Sequence, residues 1–145
     1  RIATAESCTG GLIAGALTAI AGSSDWFGFG WVSYANEAKQ QMLDVRAETL
    51  MAHGAVSGQT VREMAEGARR HSGADWAIAV SGIAGPGGGS RDKPVGLVWF
   101  GLAGPDGVKA FSEVFAGDRD AVRQHTVNTA LTQLLARVNA STLIA

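Results

Sequence analysis

The chain is poor in several things, and each shortage closes a class of function. One cysteine, Cys8, among 145 residues precludes an internal disulfide and fits a reducing, cytoplasmic setting. Charged residues make up only 17% and leave a formal net charge of −1, so the broad basic field that nucleic acid requires is missing. Runs without a polar side chain, such as residues 10–17, are far too short to cross a bilayer, and no signal-peptide pattern opens the chain. His53, His71 and His125 lack metal-ligand spacing with Cys8 or with carboxylates, so no metal is expected. Neither Gly-x-x-x-x-Gly-Lys-Ser/Thr nor a helix-opening Gly-x-Gly-x-x-Gly occurs, which removes the P-loop and the dinucleotide fingerprint.

Against these shortages stand a hydrophobic fraction of 46% and twenty glycines, the latter about twice average usage of about 7%. The length fits one domain, residues 1–145, with a sizeable core. Residues 1–5 read as a strand and 11–20 as a helix of small residues, with a turn over 21–25. Residues 26–34 are aromatic and β-branched, a second strand. Asn36 is placed to cap a helix over 37–43, and 47–51 fits a further helical turn. Residues 57–72 form an amphipathic helix with Val61, Met64, Ala65 and Ala68 on its apolar side. A buried-type strand over 75–80 precedes two more, 95–102 and 108–115, joined by Gly104-Pro105-Asp106-Gly107 as a hairpin turn. Asp118 opens a last helix to about Val138. This alternation predicts an α/β fold, a three-layer α/β/α sandwich around a mixed β-sheet.

Three segments carry candidate chemistry. In Ala5-Glu6-Ser7-Cys8-Thr9-Gly10-Gly11, hydroxyl and thiol side chains sit where the first strand breaks into a helix. A hydroxyl there faces free helix N–H groups, an environment that suits a phosphate, a carboxylate or an oxyanion. Capping of the helix by Ser7 or Thr9 is the plainer alternative. Nucleophilic serine needs a base, and Lys39, at the third helical position after Asn36, is the candidate: a cation there opposes the helix dipole and favours the neutral amine. Tyr34, the sole tyrosine, could hydrogen-bond either partner. The glycine-rich loop over 81–94 follows the end of a buried strand, where open α/β sheets place ligands, and its N–H groups could cradle an anion. Arg119 and Arg123, four apart at a helix start, share a face that suits phosphate.

Taken in order, Thr4-Ala5-Glu6-Ser7-Cys8-Thr9-Gly10-Gly11, Ala21-Gly22-Ser23-Ser24, Tyr34-Ala35-Asn36-Glu37-Ala38-Lys39, His53-Gly54-Ala55-Val56-Ser57, Ser81-Gly82-Ile83-Ala84-Gly85-Pro86 and Gly117-Asp118-Arg119 resemble the CinA C-terminal domain family. The family's characterised activity is nicotinamide-nucleotide amidase. The resemblance implies hydrolysis of the carboxamide of nicotinamide mononucleotide, with Ser7 as nucleophile, Lys39 as base and Tyr34 beside them. It implies that Thr9, Gly10, Gly11, Ser81, Gly82, Gly85, Gly87, Gly88 and Arg119 bind this small-molecule nucleotide, with no cofactor, and that the protein is a homodimer. It also implies a helix, and in some members a whole domain, ahead of the first strand, so material upstream of Arg1 is expected. Two alternatives stay open: a binding module that holds a nucleotide without turnover, and a thiol enzyme using Cys8. If the first strand continues through residue 8, alternation places Cys8 opposite Ser7.

Overall fold

A computed structural model describes residues 1–144. Five strands, β1 (Ile2–Glu6), β2 (Phe27–Val32), β3 (Trp76–Gly82), β4 (Leu97–Gly104) and β5 (Gly107–Val114), form one sheet in the order β2-β1-β3-β4-β5. β2 and β3 both run parallel to β1, whereas β4 and β5 are antiparallel to their neighbours. The helices are α1 (Leu12–Thr18), α2 (Asn36–Leu43), α3 (Ala47–His53), α4 (Gly58–Ser72) and α5 (Arg119–Ile144). A 3₁₀ turn, Ser23–Asp25, leads into β2.

Alternation along the strands sorts the core into two faces. Ile78, Val80, Val98, Phe100 and Leu102 face one way, where Ile13 and Leu17 of α1 and Val122, Val127, Ala130 and Leu134 of α5 cover them. Phe111 of β5 stacks on Phe100 at 4.8 Å on this side. Ala3, Ala5, Ala77, Ala79 and Ala103 face the other way, under Val61, Met64, Ala65 and Ala68 of α4 and Leu43 of α2. The result is the three-layer sandwich that the alternation of elements predicts.

The second face is lined by small residues, so α4 lies close to the sheet. A Cβ at Gly101 of β4 would lie 2.2 Å from the Val61 carbonyl oxygen, and one at Gly67 of α4 would lie 1.9 Å from that of Leu43. Ser57 caps α4 by accepting the Thr60 amide at 3.2 Å, and Asp118 caps α5 by accepting the Ala121 amide at 2.9 Å.

Boundaries differ from the sequence reading by a residue or two, as fraying ends do; α5 runs past Val138 to Ile144, and α1 is shorter at both ends. One difference has chemical weight. Asn36 does not cap α2: the helix begins at Asn36, Ala35 holds the cap position, and the Ala35 carbonyl accepts the Lys39 amide at 3.1 Å. Lys39 therefore sits at the fourth helical position rather than the third.

Gly67→Ala is expected to destabilise the protein by about 3 kcal/mol, because backbone cannot swing away from the added methyl group. Gly15→Ala, on α1 with nothing within 4 Å of its added Cβ, should instead stabilise by roughly 0.5–1 kcal/mol. Urea unfolding of both variants checks the contrast.

Candidate active site

The parallel strands β1, β2 and β3 end at the same edge of the sheet, and the chain passes from β1 to β2 on one side before returning to β3 on the other. Such an edge, at the carboxyl ends around a reversal of strand order, is where α/β sheets hold ligands. Ser7 stands there. Its amide donates to the Val80 carbonyl at 3.1 Å, extending the pairing of β1 with β3, and its own carbonyl accepts the Gly10 amide at 3.1 Å. The backbone around the hydroxyl is thus fixed on both sides.

Lys39 reaches the same point from α2. It is 1% exposed, and its Nζ lies 3.1 Å from Ser7 Oγ, 2.9 Å from the Ser33 carbonyl oxygen and 2.9 Å from that of Tyr34. No carboxylate takes part. Burial pushes its ammonium pKa below the ordinary value of 10.5, opposed only in part by the neighbouring Cys8. Its N–H groups meet two carbonyls, which can only accept, and the Ser7 hydroxyl, which can accept from the amine or donate to it. Desolvation, rather than the helix dipole invoked from sequence, is the dominant cause of the shift.

The start of α1 is occupied from within. Glu6, 1% exposed, accepts the amides of Ile13 at 2.9 Å and Ala14 at 3.0 Å, and the Thr9 hydroxyl donates to the same carboxylate. Neither Ser7 nor Thr9 caps the helix, and the helix's positive end faces Glu6 instead of the cleft. Nothing in the sequence reading assigned Glu6 this role. A carboxylate is favoured at a helix start, but Glu6 lies too far ahead of Leu12 for a local capping pattern to point to it. Among the described residues, the amides of Thr9 and Gly11 in the turn after Ser7 have no partner.

A cleft of about 250 Å³ opens over Ser7, lined by Cys8, Tyr34, residues 82–85, Gly87, Gly88 and Arg119. Of the positions named from sequence, it thus gathers Ser7, Tyr34, Gly82, Gly85, Gly87, Gly88 and Arg119. Buried Lys39 lies beneath them, bonded to Ser7. It leaves out Thr9, whose side chain is turned to Glu6, as well as Gly10, Gly11 and buried Ser81. Larger cavities elsewhere, one of about 550 Å³ between α4 and the β4–β5 hairpin, lack a paired nucleophile and base.

Tyr34 contributes its carbonyl to Lys39, while its exposed ring carries the hydroxyl away from the pair to accept from Arg119 at 3.4 Å. Arg119 also donates to the Gly85 carbonyl at 2.8 Å. Arg123 does not join it in a two-guanidinium clamp. It donates to the carbonyls of Cys8 at 3.1 Å and Thr9 at 3.2 Å, bracing the turn after Ser7. Cys8 is 6% exposed, and burial raises its thiol pKa to about 11, leaving almost no thiolate at neutral pH.

The model of the CinA C-terminal domain matches residues 1–138. A Shigella flexneri protein named nicotinamide-nucleotide amidohydrolase PncC is 56% identical over 134 residues, which span 92% of this chain and 81% of that protein. A CinA-like protein of Parasynechococcus marenigrum is 56% identical over 140 residues, but these cover 94% of this chain and only 33% of the relative. Among solved structures, a competence/damage-inducible protein from Agrobacterium tumefaciens superposes with a TM-score of 0.91 at 53% identity, over 94% of this chain and 84% of the other. The competence damage-inducible protein A of Klebsiella pneumoniae gives 0.92 at 45% identity, over 96% and 86%.

The buried amine makes a stability prediction. In the unfolded chain Lys39 holds its proton up to 10.5, whereas in the folded chain it releases it at lower pH. Between those two values the unfolded state binds more protons, so this group's contribution to stability rises with pH and levels off above 10.5. Urea unfolding of the protein and of Lys39→Met from pH 7 upward should show the difference moving in favour of the lysine form as pH rises.

Proposed function

The chain belongs to the CinA C-terminal domain family, and from that premise we propose that it hydrolyses the carboxamide of nicotinamide mononucleotide to nicotinate mononucleotide and ammonia, with Ser7 as nucleophile and Lys39 as general base. The observation that carries the reading is the buried Lys39 amine 3.1 Å from Ser7 Oγ, with its other two partners both carbonyls. In this reading the Lys39 lone pair takes the Ser7 proton as Oγ adds to the amide carbon, and the same proton is delivered to the departing nitrogen. The amides of Cys8 and Thr9, which follow Ser7 in the chain, are the donors assigned to the oxyanion that forms. Water then adds to the acyl-enzyme, again giving its proton to Lys39, and returns Ser7.

Recognition is assigned to the rim of the cleft. Ile83 and Ala84 offer apolar surface to a pyridine ring. Arg119 has donors beyond those spent on Gly85 and Tyr34, and with Gly87 and Gly88 it is placed to meet a phosphate. An elevated thiol pKa and the absence of a base bonded to its sulfur tell against Cys8 as the nucleophile. The homodimer expected from the family is carried forward as part of this proposal.

Ammonia release from nicotinamide mononucleotide tests the assignment. Ser7→Ala and Lys39→Ala are each expected to lose at least about a thousandfold in rate. Lys39→Arg should fail as badly, since guanidinium keeps its proton at any working pH. Cys8→Ala should keep most activity. The rate should climb with pH along a limb belonging to Lys39, centred below 10.5. Turnover that survives Ser7→Ala would overturn the nucleophile, and a fully active Lys39→Arg the base.

Phosphate recognition has its own comparison. Nicotinamide riboside, which lacks the phosphate, should show a kcat/KM lower by about ten- to a hundredfold, the equivalent of one or two charge-assisted hydrogen bonds. Arg119→Ala should remove most of that gap by impairing the mononucleotide alone. Equal turnover of the two substrates by the unaltered protein would take Arg119 out of phosphate binding.

A further inference from the structure

The segment between β3 and β4 carries four glycines over residues 85–89 and lines the cleft with Gly85, Gly87 and Gly88. Glycine keeps the largest conformational freedom of any residue, so such a segment holds a shape only where something outside it fixes it. At its base, Ile83 and Gly96 bond to one strand end and to each other's neighbourhood: the Ile83 amide donates to Leu97 at 2.9 Å and the Gly96 amide to Ile83 at 2.7 Å. Beyond that base, two side chains tether it to the rest of the molecule. Arg119 holds the Gly85 carbonyl at 2.8 Å. Lys93 reaches the other way, and its Nζ donates to the His53 carbonyl at 2.6 Å. Among the described residues the amides of Gly87, Gly88 and Gly89, between the two tethers, have no partner.

The receiving end is shaped for a cation. His53 is the last residue of α3, and its carbonyl belongs to the final turn, where unpaired carbonyls and the helix dipole favour positive charge. Gly54 follows with φ of 75°, and a Cβ there would lie 3.0 Å from Lys93 Nζ. Glycine at 54 therefore provides both the backbone turn and the space for the ammonium. Within the loop, the Lys93 carbonyl accepts the Ser90 amide at 2.8 Å and the Lys93 amide donates to Ser90 Oγ at 3.1 Å, so the lysine is itself set in a closed turn.

We infer that Lys93 is a positioning residue for substrate binding: its clasp on the His53–Gly54 corner holds the glycine-rich loop in the shape that presents Gly87 and Gly88 to the cleft. The inference rests on the amidase reading for its kinetic test but not for its structural one. Lys93 lies outside the cleft lining and touches neither Ser7 nor Lys39, so its loss acts on the loop and leaves the chemical step alone.

Two measurements decide it. In ammonia release from nicotinamide mononucleotide, Lys93→Ala should raise KM by about tenfold, a lost charge-assisted hydrogen bond, with kcat within about twofold. In limited trypsin digestion followed by mass spectrometry, cleavage after exposed Arg91 should quicken in Lys93→Ala. Pro94 protects the bond after residue 93, so the substitution does not alter the cutting sites. Lys93→Arg still donates to the His53 carbonyl and should stay near the unaltered protein in both. Unchanged KM and unchanged cleavage in Lys93→Ala would overturn the inference, as would a fall in kcat at constant KM. Equal defects in the alanine and arginine variants with a lowered Tm would place Lys93 in fold stability instead. Should the unaltered protein release no ammonia, the amidase reading fails, and the digestion alone still decides whether the clasp holds the loop.

Discussion

Everything at this site depends on keeping an amine out of water. Lys39 is among the largest fully buried side chains in the protein, and no carboxylate accompanies it. An ammonium with no counter-charge in such a place is costly, and burial lowers its pKa accordingly. Two main-chain carbonyls just after β2 accept hydrogen bonds from the amine. Their geometry is a property of backbone, insensitive to which side chains residues 33 and 34 carry. The path of the chain from β2 into α2, with the helix starting as early as Asn36, is what turns those carbonyls toward the amine. The surroundings of the buried amine are thus written into the fold's connectivity as much as into the identity of one residue.

The sheet divides its labour accordingly. Its parallel half brings the ends of β1, β2 and β3 to one edge and builds the cleft there. Its antiparallel half, the β4–β5 hairpin, contributes core, with Val98, Phe100, Leu102 and Phe111 under α5. The face of alanines and glycine beneath α4 lets that helix sit close, and α2 leans on α4 in turn, since the Leu43 carbonyl lies where a Gly67 side chain would be. Packing at Gly67 therefore bears on the helix that carries Lys39, and stability and chemistry meet there.

Much of this was legible in the sequence. The apolar stripe of α4, the hairpin at residues 104–107 and the alternation of elements follow from periodicity and turn chemistry, and they specify the sandwich. The proximity of Ser7 and Lys39 was legible as a pairing of chemical types and through the family resemblance, not from any local pattern, because their 32-residue separation is closed by tertiary structure. What was not legible is instructive. The Glu6 cap joins residues seven and eight apart through a turn whose shape no local rule contains. Arg119 and Arg123 look equivalent by spacing, yet one reaches the glycine-rich loop while the other braces the turn after Ser7. Tyr34 enters the pair's environment through its carbonyl, which any residue would possess.

The occupation of the α1 start by Glu6 has a consequence for ionic conditions. A helix end, fixed and partly sheltered, would have attracted an anionic ligand with little sensitivity to salt. With that end committed to an internal carboxylate, the cationic attraction at the cleft rests on Arg119, which is exposed at its rim. At about 0.15 M ionic strength, charges in water are screened beyond about 8 Å. Capture of a charged ligand from a distance is then salt-sensitive, while the buried Ser7–Lys39 contact is shielded from the same ions. Ionic strength separates arrival at this site from what happens after arrival.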